Sequence, residues 1–188
     1  EAFRDSLKSE ASLTYNPGVI VGGTDVTYDP AANRGTAFGK SNVIADSAVV
    51  TGDLRPLSQE QRLRAQATMQ RIVAASEPHT SGTIVFEDSY PPLAPSEGNR
   101  RLLALYDKAS RDLGLGAVEG VDPTRVGGAD VAFAGERVEM TLDGVGLKGS
   151  DGHTVDESAN LNTLSIQARR AAVLMTRLAE GWGKRGGR

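Results

Sequence analysis

Residues 42–55 read NVIADSAVVTGDLR, and their alternation decides the fold of the first half of the chain. From Ala48 onward, Ala48, Val50, Gly52 and Leu54 share one face while Val49, Thr51, Asp53 and Arg55 share the other, the period-two pattern of a strand. Directly after it, Ser58 and Gln61 have capping-box spacing, and Ala65, Met69, Ile72 and Val73 mark the buried stripe of a helix. Upstream, Val19, Ile20 and Val21 predict a short strand running into Gly22-Gly23, followed by a polar loop over residues 29–39. Residues 1–10 (EAFRDSLKSE) read as the middle of a helix, and residues 83–86 (TIVF) predict a further strand. Helices and strands in this order make a small α+β layer.

Residues 90–95 (YPPLAP) break the pattern with three prolines in six residues, a stiff connector that marks a domain boundary. Two domains are therefore expected, 1–90 and 91–188. In the second, residues 99–113 predict a helix with Leu102, Leu103, Tyr106 and Leu113 inward. Glycine-bearing loops follow at 127–130 and 144–152, separated by a strand over 137–142. A final helix is expected to turn Leu164, Ala168, Ala171, Met175 and Leu178 towards the core.

Composition limits the chemistry. The 188 residues are 39% hydrophobic and 24% charged, ordinary for a folded globular chain. A formal net charge of −3 argues against a nucleic-acid partner. No apolar run approaches the roughly 18 residues of a membrane span, so no membrane partner is expected. With no cysteine and two histidines, thiolate metal cages and thiol nucleophiles are excluded. The first residue is Glu1, no N-cap precedes its helix, and no apolar leader is present; these features predict a piece of a longer protein. The absence of cysteine suits a periplasmic or a cytoplasmic location equally.

The run Gly144-Val145-Gly146-Leu147-Lys148-Gly149 matches G-x-G-x-x-G literally. A dinucleotide site needs a helix to start at its last glycine, and Ser150-Asp151-Gly152-His153 predicts a loop instead. In residues 149–157 (GSDGHTVDE), His153 sits in a glycine-rich loop with Asp151, Asp156 and Glu157. That pattern fits a metal ligand oriented by carboxylates, and equally a solvated surface loop. Arg55 and Asp53 share a strand face, either as a surface ion pair or as a guanidinium fork for a substrate carboxylate.

Three of these segments, in this order, resemble the C-terminal part of the zinc-dependent exopeptidases and amidohydrolases. That family includes carboxypeptidase G-type glutamate carboxypeptidases, acetylornithine deacetylase, succinyl-diaminopimelate desuccinylase and the aminoacylases. Asn42-Val43-Ile44-Ala45 running to Asp53-Leu54-Arg55 resembles N-[IV]-I-P…D-[IVL]-R. Gly127-Gly128-Ala129-Asp130 resembles G-G-[ST]-D, and residues 149–157 with the helix after them resemble the closing zinc-ligand loop. Ala45 stands where the family has proline and Ala129 where it has Ser or Thr. The family's His-x-Asp and Glu-Glu pairs, which belong to its N-terminal half, have no counterpart in this sequence.

The resemblance implies an α/β chain. A lid or dimerisation domain, a four-stranded sheet with two helices on one face, is followed by the C-terminal part of a mixed-sheet catalytic domain. It implies a zinc metallopeptidase or amidohydrolase acting on a peptide or N-acyl amino acid with a free carboxylate, with two zinc ions in the whole site and a homodimer formed through the lid. It assigns His153 as a metal ligand and Asn42, Arg55, Gly127 and Gly128 to substrate binding, with Asp130 and Glu157 in support. No catalytic residue falls within the chain, so this chain alone is expected to be inactive. The competing expectation is a non-catalytic dimerisation or binding module derived from the same family.

Overall fold

The computed structural model describes residues 1–125 and 128–183. The chain divides into two compact units, Glu1–Asp88 and Ser89–Arg188. Helices combine with small antiparallel sheets, a mixed α/β character.

In the first unit, α1 (Ala2–Leu7) leads into β1 (Thr14–Gly23). A hairpin of β2 (Asp25–Asp29) and β3 (Arg34–Phe38) follows, then β4 (Ser47–Arg55) and α2 (Gln59–Ala74). Strands β1 and β4 pair antiparallel from Thr14↔Arg55 to Gly23↔Ser47, with a bulge between Pro17 and Val19. Ser58 caps α2, its hydroxyl accepting from the Gln61 amide at 3.1 Å, while Gln61 Oε1 takes the Leu57 amide at 2.7 Å. Leu7, Ala65 and Met69 form the core, and Tyr15 and Leu54 meet it from the β1–β4 pair.

Three expectations for this unit are corrected. In place of one four-stranded sheet there are two separate two-stranded ladders, β1–β4 and β2–β3. Residues 83–86 join no ladder; Ile84 and Phe86 pack on the core while the backbone stays unpaired. The region read as a polar loop contains β3, whose hairpin partner β2 sends the Tyr28 hydroxyl to Asn33 Oδ1 (2.7 Å) and Thr51 Oγ1 (3.4 Å). The hairpin thus sits on the Thr51 side of β4. On the opposite side the helices reach only the Leu54 end, so the cross-strand pair Ile20 and Val50 remains 68% and 59% exposed.

In the second unit, α3 (Glu97–Asp112) packs on α5 (Asn162–Gly183). Between them lie a 3-10 turn (Pro123–Arg125), α4 (Ala132–Gly135) and a two-residue hairpin of β5 (Gly149–Ser150) and β6 (Ser158–Ala159). Residues 137–142 form no strand. They are held by α3 instead: Thr141 donates its amide (2.8 Å) and hydroxyl (3.1 Å) to Asn99 Oδ1. A Cβ on Gly98 would stand 2.0 Å from the Glu139 carbonyl oxygen, so glycine is what admits this crossing. No mixed sheet is present among the described residues.

The inward face of α5 also differs from expectation. Leu164 and Met175 are 57% and 64% exposed, whereas Gln167, Arg170 and Leu174 are buried. The α3–α5 interface is a hydrogen-bonded network as much as an apolar seam. Arg170 donates from Nε to Ser110 Oγ, from Nη1 to Gln167 Oε1 and from Nη2 to the Leu115 carbonyl, each at 2.9 Å. Tyr106 donates to the same Gln167 oxygen at 3.2 Å.

Candidate functional site

The first group of candidate residues lies along β4 and its approach. Arg55 ends the strand, and its Nε donates to Asp53 Oδ2 at 2.5 Å. Its side chain is 59% exposed, and neither Nη group makes a hydrogen bond with the described residues. Asp53 therefore fixes one edge of the guanidinium and leaves the two amino groups free for a planar acceptor. Asn42 lies in the exposed loop before β4, at the other end of the strand. Eight residue steps separate Ser47 from Arg55, roughly 26 Å of extended chain. The structure does not bring Asn42 and Arg55 together.

Beside Asp53 the bulge in β1 opens a recess of about 320 Å³ lined by Asn16, Gly18, Asn33, Thr51, Gly52 and Asp53. Asp53 Oδ1 is buried there with no hydrogen-bond partner among the described residues. The sequence signal for this recess is Pro17-Gly18 inside β1, a residue that cannot donate to the ladder followed by a glycine, which marks a bulge; the alternation of β4 does not carry it.

In the second unit, Gly127 lies outside the described residues. Gly128 lies under the Tyr90 ring: a Cβ there would stand 2.6 Å from Tyr90 Cγ. Tyr90 donates its hydroxyl to Asp130 Oδ1 at 3.1 Å, and its ring meets Phe133 at a centroid distance of 5.4 Å. The hydrogen bond to the Asp130 carboxylate, together with its negative charge, holds the Tyr90 hydroxyl above the usual tyrosine range. In the sequence Tyr90 stands only as the first residue of a connector, and its seat over residues 128–130 has no local sequence signal.

His153 stands at the tip of the β5–β6 hairpin, exposed, with φ at +67°. Its amide donates to Glu157 Oε2 at 3.2 Å, so Glu157 supports the loop through the backbone. The imidazole itself makes no hydrogen bond with the described residues. The hairpin is tied to the start of α5: the Lys148 amide donates to Thr163 Oγ1 (3.0 Å), and the Asn160 amide donates to the Lys148 carbonyl (2.8 Å).

A catalytic zinc needs about three protein ligands and a structural one four. Among the described residues no group of three or more His, Cys, Asp or Glu is placed to hold a metal ion. His153 offers one imidazole, so these residues do not make a zinc centre by themselves. No described helix is long and apolar enough to cross a membrane. Comparison of the chain with protein-family models, curated proteins and solved structures gives no match in any of the three.

Proposed function

We propose that this chain supplies the lid and the closing loop of a zinc-dependent amidohydrolase of the glutamate carboxypeptidase type, acting on a peptide or N-acyl amino acid with a free carboxylate. The observation that carries this reading is Arg55, anchored through Nε by Asp53 with both amino groups unengaged. A guanidinium so held is prepared for the two parallel N–H bonds that a carboxylate accepts. Asn42 is not part of that contact, and Gly128 with Asp130 serves the reading through the Tyr90-braced turn. In this proposal His153 contributes one ligand to a site whose other ligands are not among the described residues of this chain.

The test is titration of the protein with an N-acetyl amino acid and with its carboxamide, read by the Arg55 Nε–Hε NMR signal. The carboxylate should shift that signal and the carboxamide should not. Arg55→Lys should weaken carboxylate binding by roughly 10- to 150-fold, the loss of one charge-assisted hydrogen bond of about 1.5–3 kcal/mol. Equal responses to both compounds, or unchanged affinity in the variant, would remove the substrate assignment.

A second reading, a homodimeric binding module without chemistry, draws support from the exposed Ile20–Val50 pair on a sheet with unpaired outer edges. Sedimentation of wild type and Val50→Lys tests a dimer on this face, which should dissociate in the variant. Because the first reading also includes a lid dimer, the module is favoured only if the Arg55 signal also fails to respond to the carboxylate.

A further inference from the structure

We propose that Asp151–Gly152 is a site of spontaneous isoaspartate formation, set up by the two hydrogen bonds that Thr154 makes to the peptide carbonyl between them. The Asp151 carbonyl accepts from the Thr154 hydroxyl at 2.7 Å and from the Thr154 amide at 3.2 Å. That carbonyl and the Gly152 N–H belong to one peptide group, so both bonds stabilise the amidate left when the nitrogen loses its proton. The Gly152 N–H has no acceptor among the described residues, and the Asp151 carboxyl group has no partner. Both residues are exposed, and Gly152 has open space where a Cβ would stand.

The reaction balances without a co-reactant. The Gly152 nitrogen gives its proton to solvent and attacks Asp151 Cγ. The carboxyl hydroxyl leaves as water, closing a five-membered imide. Water then adds to the main-chain carbonyl carbon of Asp151 and breaks its bond to nitrogen, leaving the chain linked through Cγ. One water leaves and one enters, so the mass is unchanged. The product carries one extra methylene in the backbone two residues before His153, and it releases the positive φ of +56° that Asp151 now holds.

The chain contains an internal control. Asp143–Gly144 is also exposed, and among the described residues it is unpaired and no group donates to the peptide carbonyl between its two residues. Its flanks are anchored close by, through Thr141 on Asn99 and through the Gly146 carbonyl on Gln167. The inference is independent of the proposed activity.

The experiment ages the full chain at neutral pH and 37 °C. Isoaspartate at each site is quantified by peptide mapping with electron-transfer fragmentation, which separates the two isomers. Residue 151 should convert ahead of residue 143. Asp151→Glu should abolish conversion at 151, since the smaller ring can no longer form. Thr154→Val should slow it by roughly three- to tenfold, the value of one hydrogen bond to the developing charge, and leave residue 143 unchanged. Conversion at 143 that equals or exceeds that at 151, or a Thr154→Val rate equal to wild type, would overturn the proposal.

Discussion

Gln167→Met should destabilise the second unit far more than Arg170→Met, although arginine carries the charge. Gln167 Oε1 accepts from both Tyr106 and Arg170. Replacing it with a thioether of similar length strands a buried tyrosine hydroxyl and one N–H of a guanidinium that is only 8% exposed, and it takes the donor from the Gly146 carbonyl. Each buried orphan costs about 1–3 kcal/mol, and more for a charged group, which puts the loss at about 3–5 kcal/mol. Arg170→Met strands much less. Ser110 keeps its own bond to the Gly116 carbonyl, and Gln167 keeps the Tyr106 hydroxyl. Only the half-buried Leu115 carbonyl loses its donor, and removing a buried cation relieves its desolvation, so about 0–2 kcal/mol is expected. Equilibrium urea denaturation followed by circular dichroism measures both, with an unchanged m value as the condition for comparison. If Arg170→Met is as costly as Gln167→Met, the interface depends on the cation itself and this account of the network fails.

Gly98→Ala should cost about 1–3 kcal/mol by forcing α3 away from the Glu139 carbonyl, visible as a lowered Tm; an unchanged Tm would contradict the crossing. Asp130→Asn should return the Tyr90 hydroxyl towards the ordinary tyrosine range in a spectrophotometric titration. Because folding raises that pKa, the stability linked to it is present below about pH 10 and is lost as pH rises through the folded value. Glu10 is held below the usual glutamate range, first by its hydrogen bond to Arg64. Its contribution is present above about pH 4.3 and is lost as pH falls through the lowered value, so Glu10→Gln should flatten the acid limb of the stability curve.

Local chemistry was legible wherever one residue type fixes one local geometry. Ser58 and Gln61 marked the start of α2, and the alternation after Ala48 marked β4. The β2–β3 hairpin escaped because its residues are mostly polar; its strands are fixed by Tyr28, Asn33 and Thr51 meeting across 23 positions of sequence. On α5 the apolar spacing pointed outward, because Gln167 and Arg170 fill the interface with polar groups satisfied by α3 and by nearby loop carbonyls. A hydrophobic pattern scores those residues as surface. At the candidate site, the residue types of Arg55 and His153 were visible, but the hold of Asp53 on one guanidinium edge and the separation of Asn42 from Arg55 depend on where β4 begins and ends.

Residues 83–86 adhere through two side chains and no ladder. Their amide protons should exchange with solvent at rates close to those of an open chain, even though Ile84 and Phe86 touch the core. Register is set by those two side chains and by Asp88, whose carboxylate accepts from Arg62 Nη1 on α2. A slip of two residues would bring Gly82 and Ile84, or Phe86 and Asp88, to the same two places without breaking any strand hydrogen bond. The poorer fit of glycine or aspartate against Leu7, Ala65 and Met69 and the loss of the Arg62–Asp88 pair oppose that slip.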